Sequence, residues 1–359
     1  MTVINADAML PTPDPRCLID AAGQRSGPSE LMPAADVLLE LHRRMVVGRR
    51  FDSQATALTK QGRLAVYPSA RGQEACQIGA VAAMAERDWL FPTYRDSMAM
   101  VSRGINPVEV LTLLRGDWHC GYDPYLHRTG TQCTPLATNT LHAVGLAHAA
   151  RLAGEDTVAV AMLGDGATSE GDTHEALNIA AVWQAPVVFF VQNNGYAISV
   201  PLAKQTRAKH LADKGIGYGM PGVLIDGNDA AMVHTAMTEA IERARRGGGP
   251  TLIEALTYRI EAHTNADDAS RYREDAEVTE WLARDPIERL EKYLRDNAIL
   301  DPDALAAATA EAEQLAERLR AAMNTDAVTD PAELFEHVYA EPSQALRAQA
   351  RALADELAS

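Results

Sequence analysis

The sequence predicts an α/β fold, a mostly parallel sheet with helices on both faces. Two observations carry that reading. Short apolar runs recur along the middle of the chain: TVAVAML (157–163), VVFFVQ (187–192), GVLIDG (222–227) and TLIEALTYRI (251–260). They lack the polar/apolar alternation of a strand with one wet face, so each reads as a strand buried on both sides. Between them lie HEALNIAAVWQ (174–184), apolar on most of its faces, and DAAMVHTAMTEAIERARR (229–246), with helical spacing. Strands that alternate with helices build parallel sheets.

The remaining elements follow in chain order. Residues 1–34 contain PTPDP and GQRSGPSE and read as an extended, loosely ordered lead-in. They show no basic region followed by an apolar stretch, so no secretory signal is expected. ADVLLELHRRMVVGRR (35–50) repeats apolar residues at helical spacing, and 72–86 and 108–116 read as two more helices. The stretch 117–135 is rich in Gly, His, Pro and Tyr and reads as a long loop, the kind that is often functional. The main α/β domain is expected over 35–300, with a helical extension over 301–359. In the extension, Leu305, Ala308, Ala312, Leu315, Leu319 and Ala322 form a seam for another helix. Docking of that seam within this chain is the simpler expectation.

Bulk composition excludes several classes. The chain has 359 residues, 47% hydrophobic, with a formal net charge of −16. An acidic chain of this kind repels nucleic acid and anionic membrane. No apolar run approaches the roughly 20 residues of a membrane span. The four cysteines, Cys17, Cys76, Cys120 and Cys133, show no C-x-x-C spacing, which argues against a disulfide framework or zinc site and for a reducing cytoplasm.

Two segments carry chemistry. GDGATSEGD (164–172) follows a strand and opens a helix, where ligands of open parallel sheets bind. Ser169 with Asp172 matches a capping-box pattern, placing a helix N-terminus there, and helix N-termini attract phosphate. Asp165, between Gly164 and Gly166, would repel a bare phosphate. A divalent cation between them resolves the conflict, since Mg²⁺ takes carboxylate and phosphate oxygens.

The second segment is VQNNGYAISV (191–200). Asn194-Gly195 between β-prone residues is a local hairpin signal. The preceding run reads instead as a buried parallel strand, which does not turn back through two residues. Asn194 follows Asp165 by 29 positions. A right-handed strand–helix–strand crossover brings both to one sheet edge.

GDG, about 30 residues, then NN resembles the motif of thiamine-diphosphate-dependent enzymes. Together with HEALNIAAVWQAP, NNGYAIS, GYG, DGND and TYRIEAHTNADD, the text resembles the alpha subunit of the decarboxylating component of a 2-oxo acid dehydrogenase complex, over residues 35 to 320. NNGYAIS and HTNADD are closer to the branched-chain members than to the animal pyruvate members.

The resemblance implies a thiamine-diphosphate-binding fold and roles for individual residues. Asp165, the Asn194 side chain and the Tyr196 carbonyl would hold Mg²⁺. Gly164, Gly166 and Ala167 would line the diphosphate, and Tyr94 and Arg95 of FPTYRD would contact it. Thr134 and Leu136 would reach the aminopyrimidine side. His263 would face the reacting end of the cofactor. Three positions depart from relatives: Cys133 replaces a hydroxyl residue of a potassium site, Gln192 stands where branched-chain members carry Arg, and Thr264 replaces a regulatory serine.

The implied reaction is oxidative decarboxylation of a branched-chain 2-oxo acid such as 3-methyl-2-oxobutanoate. Pyruvate, or acetoin in a related dehydrogenase, is the alternative. The acyl group would pass to a lipoyl group on an acyltransferase component. Cofactor activation in this class needs a carboxylate on a second α/β domain, and this chain has one sheet. A beta subunit is therefore implied, in an assembly of two alpha and two beta chains.

Overall fold

A computed structural model describes residues 9–117, 120–325 and 330–359. Five parallel strands form the central sheet: β1 (Trp89–Phe91), β2 (Ala159–Gly164), β3 (Val187–Asn193), β6 (Gly222–Asp226) and β7 (Thr251–Leu256), in the order β1-β2-β3-β7-β6. Two short strands, β4 (Tyr196–Ala197) and β5 (Val200–Pro201), form a separate antiparallel ribbon. The α/β fold expected from the apolar runs is the observed one.

Side chains alternate between two cores, as the two-residue period of a strand requires. Val158, Val160, Met162, Val188, Phe190 and Ile253 face one core with the helices Ala35–Lys60, Glu74–Ala82 and Ala230–Arg243. Ala159, Ala161, Leu163, Val187, Phe189 and Val191 face the other, with the helices Thr138–Ala153 and Gly171–Trp183. Both faces are dry, which is why these strands read as continuous apolar runs.

Several local expectations shift. β1 is only three residues long, too short to show a periodicity, although it delivers the FPTYRD segment to the sheet edge. β7 ends at Leu256 rather than running through residue 260. Ser169 does not cap a helix. Residues Gly166–Ser169 make a single 3-10 turn, and the following helix starts at Gly171 with Glu170 before it. Thr168 accounts for the tight turn, because its N–H and hydroxyl both donate to the Asp165 carbonyl, at 3.1 and 2.8 Å. A hairpin does follow β3, but around Ile198-Ser199 rather than Asn194-Gly195.

The seam on the C-terminal helix Pro302–Met323 packs inside the chain against Ala35–Lys60, burying Ala308, Ala312, Leu315 and Leu319. Arg43–Glu311 and Arg50–Glu313 ion pairs flank it. Much of the lead-in is also tied down. Arg16 bridges to Ile225 beside β6, and Leu18 and Ile19 are fully buried. Asp229 anchors both regions: one oxygen accepts from the Leu18 and Ile19 N–H groups at 2.6 and 2.8 Å. Its other oxygen caps the helix Ala230–Arg243 through Ala231 and Met232.

Removal of that carboxylate tests the anchor. Asp229→Ala loses a helix cap, by itself worth about 1 kcal/mol, and frees the lead-in. The thermal midpoint should fall, and limited proteolysis should cut within residues 9–34 while the body stays intact. Unchanged cleavage would show that the lead-in is held by other contacts.

Candidate active site

The register of the sheet assembles the site. Gly164 of β2 lies opposite Gln192 of β3, so both chains leave the sheet at one edge carrying Asp165 and Asn194. Asn193 of β3 lies opposite Leu256 of β7, which puts Tyr258 and Arg259 beyond the same edge. β1 adds the 93–96 turn on the other side. There the Thr93 N–H and hydroxyl both donate to one Asp96 oxygen at 2.7 Å.

A cavity of 390 Å³ opens at this edge. It is lined by all eleven residues singled out above: Tyr94, Arg95, Thr134, Leu136, Gly164, Asp165, Gly166, Ala167, Asn194, Tyr196 and His263. Thr264 and Gln192 line it as well. Cys133 donates its thiol to the Pro135 carbonyl at 3.0 Å.

The metal-type donors are concentrated on one wall. Asp165 is buried and its carboxylate accepts from the neutral Gln205 amide at 2.7 Å. Burial raises its pKa, with Gln205 and the Arg259 charge acting against the shift. The Gln205 carbonyl oxygen beside it is buried without a partner. Gly195, at φ +83°, lets the chain turn out of β3, a conformation that L residues rarely adopt. The Tyr196 N–H then donates to Asn194 Oδ1 at 3.2 Å in an Asx turn.

The cavity lining also carries cationic groups. Arg95 is buried, donating from Nη1 to the Ser69 carbonyl at 2.7 Å and from Nη2 to His263 Nδ1 and the His263 carbonyl at 3.0 Å each. Its guanidinium also lies 5.6 Å from the centre of the Tyr94 ring. Arg259 is only 2% exposed. It donates to the Ile198 carbonyl at 2.8 Å and to the Tyr272 hydroxyl at 3.0 Å, while its Nε is buried without a partner. Burial lowers its pKa, and the Arg95 charge adds to the effect. Two buried guanidiniums in one cavity lining are suited to a multiply charged anion.

His263 is fixed between these groups. Its backbone N–H donates to Asp267 at 2.8 Å, and its ring meets Tyr94 edge-on at 6.0 Å. Because arginine only donates, Nδ1 must accept, which leaves the ring proton on Nε2. Burial, then Arg95 and Arg259, lower the His263 pKa to about 4, with Asp267 opposing.

Arg259, Gln73 and Gln205 were missed from sequence. Arg259 falls in the run 251–260, which reads as an apolar strand. A lone arginine in such a run was the available signal. Gln73 and Gln205 carry no signal in a single sequence.

A family model described as "Dehydrogenase E1 component" matches residues 42–328. The chain belongs to this dehydrogenase family. It is 48% identical over 323 residues to the 3-methyl-2-oxobutanoate dehydrogenase subunit alpha of Mycobacterium tuberculosis, covering 90% of this chain and 88% of that relative. It is 40% identical over 267 residues to the pyruvate dehydrogenase E1 component subunit alpha of Staphylococcus aureus, covering 74% and 72%. The expected kinship with alpha-type dehydrogenase chains is thereby met.

The state of His263 gives a pH dependence. The unfolded chain binds this proton near an ordinary pKa of about 6.5, and the folded ring binds it only near pH 4. Below pH 6.5 the unfolded state therefore holds more protons, and stability falls as pH drops through that window. Histidine NMR should show a neutral, Nε2-protonated ring down to about pH 5. Arg95→Gln should raise its pKa, and an unmoved titration would remove Arg95 as a cause.

Proposed function

We propose that this chain is the alpha subunit of a thiamine-diphosphate- and Mg²⁺-dependent 2-oxo acid dehydrogenase. The reaction is oxidative decarboxylation of a branched-chain 2-oxo acid such as 3-methyl-2-oxobutanoate. The acyl group goes to the lipoyl group of an acyltransferase component. The observation that carries this reading is the convergence of Asp165, Asn194 and two buried arginines in one cavity.

The donor set suits the cofactor. Asp165 is a buried carboxylate whose hydrogen-bond partner is a neutral amide, beside an unpartnered Gln205 oxygen. A cation there would offset the burial that raises the Asp165 pKa. Among the described residues no group of three or more His, Cys, Asp or Glu could hold a metal ion. Mg²⁺ takes one or two carboxylates and completes its shell with phosphate oxygens, which a single Asp165 with a bound diphosphate would provide. A Cβ added at Gly164 would meet nothing within 4 Å, so its backbone is open to a ligand.

Asp165, the Asn194 side chain and the Tyr196 carbonyl would hold the metal. Gly164, Gly166 and Ala167 would line the diphosphate, with Tyr94 and Arg95 in contact with it. Thr134 and Leu136 would flank the aminopyrimidine. Bound thiamine diphosphate supplies the electron sink for decarboxylation. Held neutral by burial and by the Arg95 and Arg259 charges, His263 would donate from Nε2 to negative charge at the reacting end.

The cavity mouth argues for a second chain. Val66, Leu136 and Ile198 line the cavity yet are 37%, 39% and 53% exposed. An apolar rim on a cofactor site needs a cover, and a beta subunit in a two-alpha, two-beta assembly would supply it. The four cysteines are all free thiols, in keeping with a reducing cytoplasm. Among the described residues no helix is long and apolar enough to cross a membrane.

The similarity to the mycobacterial relative supports the branched-chain substrate. With the beta subunit present, kcat/KM for 3-methyl-2-oxobutanoate should exceed that for pyruvate by at least about tenfold, the range that added methyl groups confer in an apolar pocket. A preference for pyruvate would replace this substrate assignment. The chain alone should not decarboxylate either acid, and full activity without a partner would overturn the two-chain site.

A further inference from the structure

Along the Asp165 and Asn194 wall runs a row of buried polar side chains, of which Gln73 and Gln192 line the cavity but have no role above. Gln192 Nε2 donates to Asp96 Oδ1 at 2.7 Å. Gln73 Nε2 donates to Gln192 Oε1 at 2.9 Å. Asn194 Nδ2 donates to Gln73 Oε1 at 3.1 Å. The four residues come from the 93–96 turn, β3, the start of the helix Glu74–Ala82 and the β3 exit. All are at most 5% exposed.

We infer that Gln73 and Gln192 are positioning residues that hold the Asn194 amide with its oxygen, not its nitrogen, available to the cation. This rests on the proposed cofactor site. An amide can be turned over at little steric cost, since its oxygen and nitrogen are nearly equal in size. Only hydrogen bonding decides which atom faces the metal, and an NH₂ group cannot ligate Mg²⁺.

The polarity of the row is set from both ends by backbone donors that cannot reverse. At one end, the Thr93 N–H and hydroxyl donate to Asp96 Oδ2, and as a carboxylate Asp96 has only acceptors to offer the row at Oδ1. Gln192 must then present its NH₂ to Asp96 and its oxygen to Gln73. Gln73 in turn presents its oxygen to Asn194. At the other end, the Tyr196 N–H donates to Asn194 Oδ1, which gives Asn194 the same orientation. Turning any one amide would set donor against donor and acceptor against acceptor at a buried position, where each unmade bond costs the full desolvation of its groups.

The row also joins the two halves of the site. Asp96 directly follows the Tyr94-Arg95 pair, and Gln192 precedes Asn194 by two residues. The diphosphate wall and the metal wall therefore share one hydrogen-bonded spine. Gln192 lacks the charge of an arginine at this place, but its side chain has both a donor and an acceptor, as the middle of such a row requires.

The test is Mn²⁺ binding, followed by electron paramagnetic resonance, with thiamine diphosphate present. It uses the full chain assembled with its beta-type partner. Gln73→Met and Gln192→Met conserve volume and remove the hydrogen bonds. Each should raise the Mn²⁺ dissociation constant about tenfold or more, the usual cost of losing an outer-shell partner of a metal ligand. Saturating metal should restore kcat, and the metal-free thermal midpoint should move far less than the affinity. A purely structural role would lower the midpoint without a matching loss of affinity, and that pattern would overturn the inference. If one variant fails to fold, the other decides. Asp165→Asn and Asn194→Ala serve as references. Wild-type affinity in both Met variants, with affinity lost in both references, would overturn the row's role and leave the site standing. Wild-type affinity in the references would instead remove the metal site itself, and the inference with it.

Discussion

The parallel pairing of β2 with β3 is the constraint on which the site depends. It pairs Gly164 with Gln192, so Asp165 and Asn194 leave the sheet side by side although 29 residues separate them. A slip of one residue would turn the strands' side chains to the opposite faces. The two cores prevent that slip. Leu163 and Val191 face one core while Met162 and Phe190 face the other. Packing on both faces of the sheet therefore fixes the spacing of polar groups at its edge.

The edge itself is held by buried polar groups that answer one another. Asp96 closes the 93–96 turn and terminates a row of three amides. Glu254 of β7 accepts from Asn193 Nδ2 at 2.7 Å and from the Ala212 N–H at 2.9 Å. Tyr67, Ser69 and the Ala70 N–H all donate to Asp52, behind the loop whose Ser69 carbonyl takes Arg95. Buried polar groups without partners are costly, so such satisfied networks hold one arrangement. Among the groups left without a partner are Arg259 Nε, in the cavity lining, and Gln205 Oε1, on the amide that donates to Asp165. A binding site is where such unmet capacity belongs, because a ligand can meet it.

Much of this was legible in the chain. The strands β2, β3 and β6 read directly from their apolar runs, because burial on both faces demands continuous apolar side chains. Asp165 and Asn194 stood out because each is a polar residue at the end of such a run. β1 did not, since three residues carry no periodicity. Arg259 was hidden because β7 ends three residues before it, and nothing local marks that end. The hairpin signal at Asn194-Gly195 was misplaced by a few residues. Gly195 does take a positive φ, but the antiparallel ribbon forms after it.

The sequence by itself determined the layered α/β architecture, the family and the residue types at the strand ends, because these follow from hydrophobic pattern and short motifs. Only the tertiary structure decided which polar groups face one another. The neutrality of His263 depends on burial and on the charge of Arg95, 168 positions away, as well as on its near neighbour Arg259. The orientation of Asn194 depends on glutamines from a helix and a strand that meet only on folding. Hydrogen-bond direction and desolvation are properties of neighbours in space, and one-dimensional spacing does not encode them.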